Sequence, residues 1–477
     1  MMSRQSPSQN ALFHYAVNLE DRIPASHELR QVSSVLDLEF VYDRVRDLYG
    51  RNGNESVPPP VILRMMLLLV FYNVRSEREL MRTIPYRMDW LWFLGYGLDD
   101  EIPHHSVLSK ARTRWGEAVF QQLFERTVAQ CVELGLVDGR KLFMDSSLVD
   151  ANASRQSVVD THCLKDSLAK GYRELCRRLD EPGPSADRRV RREVNDRYRS
   201  TTDPDAAIVN RGGSRLRYKV HRSVDPAAEV ITTTEVTRGD VDDSHRFTSM
   251  LESHRKNTGT AAATVVADSK YGTVENFLIC KDRGIRPHMP DLKRSQEKGG
   301  KRHGIFSNSE FTFDPESNTY ICPAGKRLRL KSRRLKKQSM DYSARAADCS
   351  VCELRPQCTR NKIGRTIKRH LRQDELEAMR AMAQTPKGKQ DLKTRQHLME
   401  RSFALAVPLG FKRARWRRLW RVQIQEYLTA AIQNIKRMIQ YRKKPACSVA
   451  LKIAARMKTC CQAAIPRALK LEYSILP

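Results

Sequence analysis

Two short apolar runs, each closed by an aspartate, constrain this chain more than any other feature: KLFMD at residues 141–145 and TVVAD at 264–268. Thr264 to Ala267 are β-branched or small and apolar, the composition of a strand buried on both faces. The second run leads into a turn, SKYG, and then a helix that Thr273 is placed to cap and Gly284 to end in a left-handed conformation. In sheet proteins with such strand-to-helix units, ligands collect at the carboxyl ends of the strands. Asp268 is therefore either offered to a ligand or spent on its own turn, and the run alone leaves both readings open. Asp145 poses the same question, with Asp150 as its rival.

Around these runs the pattern changes twice. From about residue 37 to 139 it is helical, with helix formers from Val61 to Leu80 and again in GEAVFQQLFERTVAQCVELGLV; Ser106 is a candidate cap for a short basic helix. From Lys141 strands take over, in KLFMDSS, RYKVHRSVD, EVITTTEVT and ATVVADS. Strands and helices so grouped predict an α+β chain with a mixed sheet. The expected organisation is a helical domain at 1–139, a core at 140–290 with a charged insertion near 155–213, and a basic cysteine-containing insertion at 291–385. Core helices at 386–445 and a tail at 446–477 complete it.

The charge balance narrows the partner. Lysine and arginine number 85 against 55 acidic residues, a formal charge of +30. Such an excess predicts a polyanion, most naturally nucleic acid. The longest apolar run, VILRMMLLLVFYNV from Val61, is broken by Arg64 and falls short of the roughly 20 residues a membrane span requires. Neither a secretory leader nor a disulfide framework is expected: the first residues lack a sustained apolar segment, and the 11 cysteines are odd in number and scattered. A reducing cytoplasm is the expected compartment.

A third acid, Glu400, sits in the helical stretch RQHLMERSFALAV, which runs into a strongly basic segment. Between Arg401 and Lys444 there are 12 basic residues and one acid, Glu426. Oxygen ligands beside a cationic surface suit hard divalent metals and phosphates. Arg401, Lys412, Arg413, Arg415, Arg417 and Arg418 are the candidate DNA contacts, with Trp416 and Trp420 among them; Trp90 and Trp92 read as core.

Taken in order, LFMDSSLVDANAS, VVADSKYGTVENF and MERSFALAVPLGFKRARWRRLWRVQIQEYLTAAIQNIKRM resemble the three acidic segments of DDE insertion-sequence transposases, closest to the IS1182-type branch of the IS5/IS4 assemblage. The stretch SERELMRTIPYRMDWLWFLGYGLDDEIPHHSVLSKART is similar to the helical N-terminal domain of those enzymes. The resemblance implies a ribonuclease H-like core with Asp145 and Asp268 on strands and Glu400 on a later helix. It implies that these three acids hold two Mg²⁺ ions, or Mn²⁺ in their stead, for DNA cleavage and strand transfer. It also implies duplex DNA with terminal inverted repeats as partner, a homodimer in the synaptic complex, and a cytoplasmic protein associated with the nucleoid when on DNA. This chain departs from the pattern where relatives carry an assisting lysine after the glutamate: that position is Val407, and the nearest upstream arginine, Arg395, stands at a longer spacing. A nuclease without strand transfer and a DNA-binding descendant without chemistry are the competing readings.

Cys322, Cys349, Cys352 and Cys358 form a compact group around the basic run KRLRLKSRRLKK at 326–337. One C-x-x-C pair with two outlying cysteines can complete a tetrahedral zinc site, and the basic loop between them resembles a zinc ribbon. Ordinary reduced thiols are the competing reading. The histidines in HGIF, IPHHS and KVHR do not recur at ligand spacing with acids, and read as surface or capping residues.

Overall fold

The computed structural model describes residues 18–50, 55–161, 194–292 and 304–443; the expected tail at 446–477 and most of the charged insertion, 162–193, lie outside the described residues. The chain divides into two compact units, Met1–Leu136 with Tyr427–Pro477, and Val137–Glu426.

The first unit is helical. Its centre is the helix Pro59–Phe71, opened by prolines in its first turn and buried at nearly every position, as expected of the apolar run from Val61. Glu77–Thr83 is capped by the Ser76 hydroxyl, and Met88–Leu94 stops at Gly95 with φ 80°. Ser106 is the first residue of the helix Ser106–Trp115 and not its cap: the cap position is His105, without a side-chain cap bond. His104 instead takes the Ser106 N–H on Nδ1 at 3.3 Å, because His105 already has helical backbone angles. Ala118–Glu133 comes next, with Phe124 stacked on Tyr427 at 5.8 Å. Trp90 is buried as expected, whereas Trp92 is half-buried beneath the Arg30 guanidinium at 4.6 Å. No helix among the described residues is long and apolar enough to cross a membrane.

The second unit is α+β. In chain order its strands begin with β1 (Lys141–Asp150), β2 (Val158–Asp160), β3 (Tyr198–Ser200), β4 (Ala207–Val209), β5 (Arg215–Asp225), β6 (Val230–Arg238), β7 (Thr264–Val266) and β8 (Arg286–His288). Six of them form a mixed sheet ordered β4-β5-β1-β7-β8, with β6 also on β5. β1 runs antiparallel to β5 and parallel to β7, which is parallel to β8. β2 and β3 pair separately.

Helices cover both faces of this sheet. On one, Leu142, Met144, Val265 and Ala267 join the core formed by the helices Phe247–Thr258, Val274–Asp282 and Gln373–Met382. On the other lies Pro386–Ala404, whose Asp391 accepts from Lys141 Nζ at 2.8 Å and lies 2.8 Å from His288 Nδ1. Arg222 of β5, fully buried, donates to Glu426 of the helix Leu419–Arg442 at 2.6 Å and to the Ser402 carbonyl at 3.1 Å. Its guanidinium also lies 5.0 Å and 4.8 Å from the ring centres of Phe403 and Phe411.

A separate antiparallel sheet carries the cysteine region: β9 (Thr312–Asp314), β10 (Thr319–Ile321), β11 (Arg327–Arg334), β12 (Ser339–Ser343) and β13 (Thr366–His370), in the order β13-β12-β11-β10-β9. The basic run read as a loop is largely strand β11. Leu328, Tyr342 and Ile367 bury against Phe311 and Tyr320, while Arg327, Arg329, Lys331 and Arg333 stay exposed. Alternation of arginine with leucine supplies the period of two that a half-buried strand needs.

Candidate active site

Strand pairing brings the two aspartates near each other. β1 and β7 pair as Lys141 with Thr264, Leu142 with Val265 and Phe143 with Val266. The pairing ends there: Asp145 lies further along inside β1, and Asp268 lies two residues past the end of β7, close enough for the Asp145 charge to act on its carboxyl. The two carboxyls act on each other. Burial pushes the Asp268 carboxyl up, and the Asp145 charge adds to it. Burial also raises Asp145, against the Arg395 guanidinium, whose N–H donates to it at 2.6 Å.

The Asp268 turn is fixed from several sides. Asp268 Oδ1 accepts the Lys270 N–H at 3.0 Å, so the residue does serve its turn as well. Tyr271 sinks fully into the core, and the Gly272 carbonyl takes the Leu292 N–H at 2.9 Å. Only glycine fits at 272, because a Cβ there would stand 2.0 Å from the Pro290 carbonyl oxygen. Thr273 then caps the next helix by accepting the Asn276 N–H at 3.3 Å, and Gly284, at φ 67°, ends it.

A third acid, Asp243, was not legible in the sequence. It is 1% exposed and accepts from Ser146 Oγ at 2.9 Å, from the rung next to Asp145. Lys219 Nζ lies 3.1 Å away and Lys270 Nζ 3.0 Å. Burial works against its charge, but these two ammonium groups outweigh it and hold Asp243 below the ordinary carboxylate range. His221, expected at the surface, is instead buried beside Asp243, and burial lowers its pKa to about 4. The loop VDDSHR offers Asp242 and Asp243 alike, with Asp240 just before it, and only the fold distinguishes them.

Glu400 lies on Pro386–Ala404, the helix that supplies Arg395, but is exposed and accepts from Gln396 Nε2 at 3.2 Å. Five residues beyond Arg395, it is turned roughly 140° around the helix axis from it. Asp150 is held apart from the acidic group: its carboxylate meets Arg217 at 2.8 Å and Arg215 at 3.0 Å, which outweigh burial and keep it low. Its backbone bridges to the basic segment, donating to the Lys412 carbonyl at 3.0 Å and accepting from the Ala414 N–H at 2.8 Å. In that segment Lys412, Arg413, Arg417 and Arg418 are exposed to different degrees; Arg415 is half-buried, and Arg401 pairs with Glu229. Val407 is exposed.

Among the described residues no three His, Cys, Asp or Glu side chains stand as a ready-made metal cage. The donors that do converge nevertheless suit a hard divalent cation: two desolvated carboxylates with oxygen as the ligand atom, Asp268 just past β7 and Asp145 not closing its strand, as KLFMD suggested, but inside it, because β1 continues to Asp150 along β5. Beside them the Tyr271 hydroxyl is buried without a hydrogen-bond partner among the described residues, and burial and all three aspartates push its pKa up.

The raised carboxyls have a measurable consequence. A carboxyl whose folded pKa lies above its unfolded value contributes stability only while protonated, and that contribution is lost as pH rises through the folded value. At neutral pH and low salt, metal-free protein is therefore expected to gain from Asp268→Asn, or at least to lose nothing. Melting temperatures with and without Mg²⁺ check this: Mg²⁺ should stabilise the parent more than the variant. A marked loss of metal-free stability with an unchanged Mg²⁺ response would make Asp268 a turn residue only.

Two family models match the chain: a transposase domain, DUF772, over residues 17–114, and a transposase DDE domain over residues 321–439. No curated protein sequence matches it. Among solved structures, the Mos1 transposase paired-end complex with left transposon end aligns at 10% identity, covering 56% of this chain and 73% of that one with a TM-score of 0.16. A transposase domain matched in its first part and a transposase DDE domain in its last together support an insertion-sequence DDE transposase.

Proposed function

We propose that the protein binds the terminal inverted repeats of its own element, as a homodimer in the cytoplasm, and carries out divalent-metal-dependent DNA cleavage and strand transfer. The observation that carries this reading is the parallel pairing of β1 with β7, next to which the Asp145 and Asp268 carboxyls act on each other. The sheet order β6-β5-β1-β7-β8, antiparallel and then parallel, supports a ribonuclease H-like core. Asp145 and Asp268 would hold the cation, Mg²⁺ or Mn²⁺; Glu400, the third acid of the family pattern, is exposed on the helix that packs on β1 and would have to turn toward them to join. Two bound cations would supply an activated water or 3′-hydroxyl and stabilise the leaving oxygen. Arg395 neutralises Asp145 in the metal-free protein, and Lys219 and Lys270 keep Asp243 ionised without offering it to solvent.

The cations Lys412, Arg413, Arg417 and Arg418 hold phosphates, and the backbone bridge to Asp150 ties them to the strand that carries Asp145. Replacing Arg417 or Arg418 by alanine is expected to weaken binding to all duplexes alike and to reduce the log–log salt slope by roughly one per residue. Unchanged slopes would move the DNA path elsewhere.

One observation favours a descendant that binds DNA without chemistry: the exposed Val407 at the position where relatives carry a lysine. Incubating the protein and Mg²⁺ with duplexes ending in the inverted repeats that flank its gene separates the readings. Cleaved ends joined to target DNA support transposition. Cleavage without joining indicates a nuclease, and retention without cleavage indicates a binding protein.

A further inference from the structure

We propose that Cys322, Cys349, Cys352 and Cys358 bind one structural zinc ion that fastens the ends of the β9–β13 sheet together. All four line a single cavity, although 36 residues separate the first from the last and three segments supply them. Cys322 comes directly after strand β10, Cys349 lies in the short helix Ala346–Ser350, and Cys358 ends the helix Arg355–Cys358. The turn at Cys322 is shaped for a thiolate: the Lys326 N–H points at its sulfur at 3.3 Å, and Gly325 donates to the Cys322 carbonyl at 2.8 Å. On the opposite wall Gly364 stands so close that a Cβ would come within 3.2 Å of the Cys349 sulfur.

None of the four is in a disulfide. Four thiolates gathered on one cavity would repel one another, and a divalent cation cancels that repulsion. Binding of one Zn²⁺ would release four thiol protons to solvent, leaving a site of net charge −2 on the cavity that Lys326, Arg355 and Arg365 also line. The sulfurs are not drawn into a closed cage as they stand; zinc would bring them to about 2.3 Å from the metal and roughly 4 Å from one another. The scaffold makes this worthwhile, since among the described residues the sheet's core is small: Phe311, Tyr320, Leu328, Tyr342 and Ile367 are buried, Phe313, Leu330 and Met340 pack partly buried against them, and so do Cys322 and Cys358. So small a core is commonly completed by a metal.

The test is made on the full chain, purified with reductant and without chelator. Elemental analysis should find about one zinc per chain, and Co²⁺ exchanged into the site should give thiolate-to-cobalt charge-transfer absorption. Chelation should expose four further thiols to maleimide, and added Zn²⁺ should protect them again. Cys349→Ser with Cys352→Ser should lose the metal, whereas Cys131→Ala, buried in the other unit, should keep it. If the variants fail to fold, the parent's thiol protection still decides. Parent protein without stoichiometric zinc, or with all four thiols equally reactive with and without chelator, overturns the proposal. A disulfide among the four in reduced, folded protein overturns it as well.

Discussion

Asp145→Asn and Asp268→Asn are each expected to abolish cleavage of element ends and their joining, by a factor on the order of 10³ or more, while leaving affinity for duplex DNA nearly intact. The size reflects what is removed. A factor of 10³ corresponds to about 4 kcal/mol of transition-state stabilisation, within the several kcal/mol that a correctly held divalent cation supplies. Asparagine keeps the shape and one acceptor oxygen but deletes one of the two neighbouring charges. The proposed DNA affinity would rest instead on lysines and arginines outside the acidic group, chiefly through released counterions. Single-turnover cleavage in Mg²⁺, with binding measured at several salt concentrations, checks both halves. Cleavage by either variant near the parental rate would remove that residue from the chemistry. Glu400→Gln belongs in the same series, because its exposure leaves its share in holding the cation to be decided by this measurement.

Arg222→Ala should have the largest effect on stability, about 3–5 kcal/mol. The residue is fully buried, and its guanidinium satisfies Glu426 and the Ser402 carbonyl while packing on Phe403 and Phe411. Alanine leaves the Glu426 charge without its arginine, with the Thr234 hydroxyl at 2.8 Å still donating to that carboxylate oxygen. A melting-temperature loss of order 10 °C is expected for a unit of this size. The double replacement Arg222→Met with Glu426→Leu should cost much less than the sum of the single changes, since removing both charges also removes their desolvation penalty. Additive losses would show that packing, and not charge, is what this pair contributes. Because Arg222 stands on the rung opposite Asp145, the single change is also expected to lower cleavage through misplacement of β1.

How much of this was legible in the chain varied with the range of the interaction. KLFMD, RYKVHRSVD, EVITTTEVT and TVVAD became strands because their apolar and β-branched residues agree with the positions that the fold buries. Thr273 and Gly284 act as expected, since capping and left-handed turns depend on neighbours only a few residues away. Ser106 failed as a cap because His105 takes helical angles one residue earlier. Asp243 and its lysines could not be read locally: Lys219 and Lys270 come from two other segments, and nothing in VDDSHR marks which acid turns inward. The same holds for Arg395, whose meeting with Asp145 spans 250 residues of chain. His221 was misjudged because a polar residue inside RYKVHRSVD gives no hint that its strand is central to the sheet.

The parallel pairing of β1 with β7 also dictates an order of events during synthesis. β4, β5 and β6 come after β1, join it through antiparallel pairings and can pair as they emerge, but β1 must wait more than a hundred residues for β7. The helix Pro386–Ala404 comes still later, after the whole β9–β13 sheet has been made. A nascent chain that has only reached β8 thus has both aspartates in place, without the Arg395 guanidinium that offsets one of them. Two unopposed charges side by side repel, so docking of the late helix, or capture of a divalent cation if the acids hold one as proposed, would favour closing of the sheet. Closure entropy over so long a span makes that docking slow relative to local pairing. At ribosomal speeds of roughly 5–20 residues per second, the interval between β8 and the end of the helix lasts on the order of ten seconds. If the two aspartates hold a cation as proposed, the free divalent cation concentration during that interval becomes a variable in the folding yield.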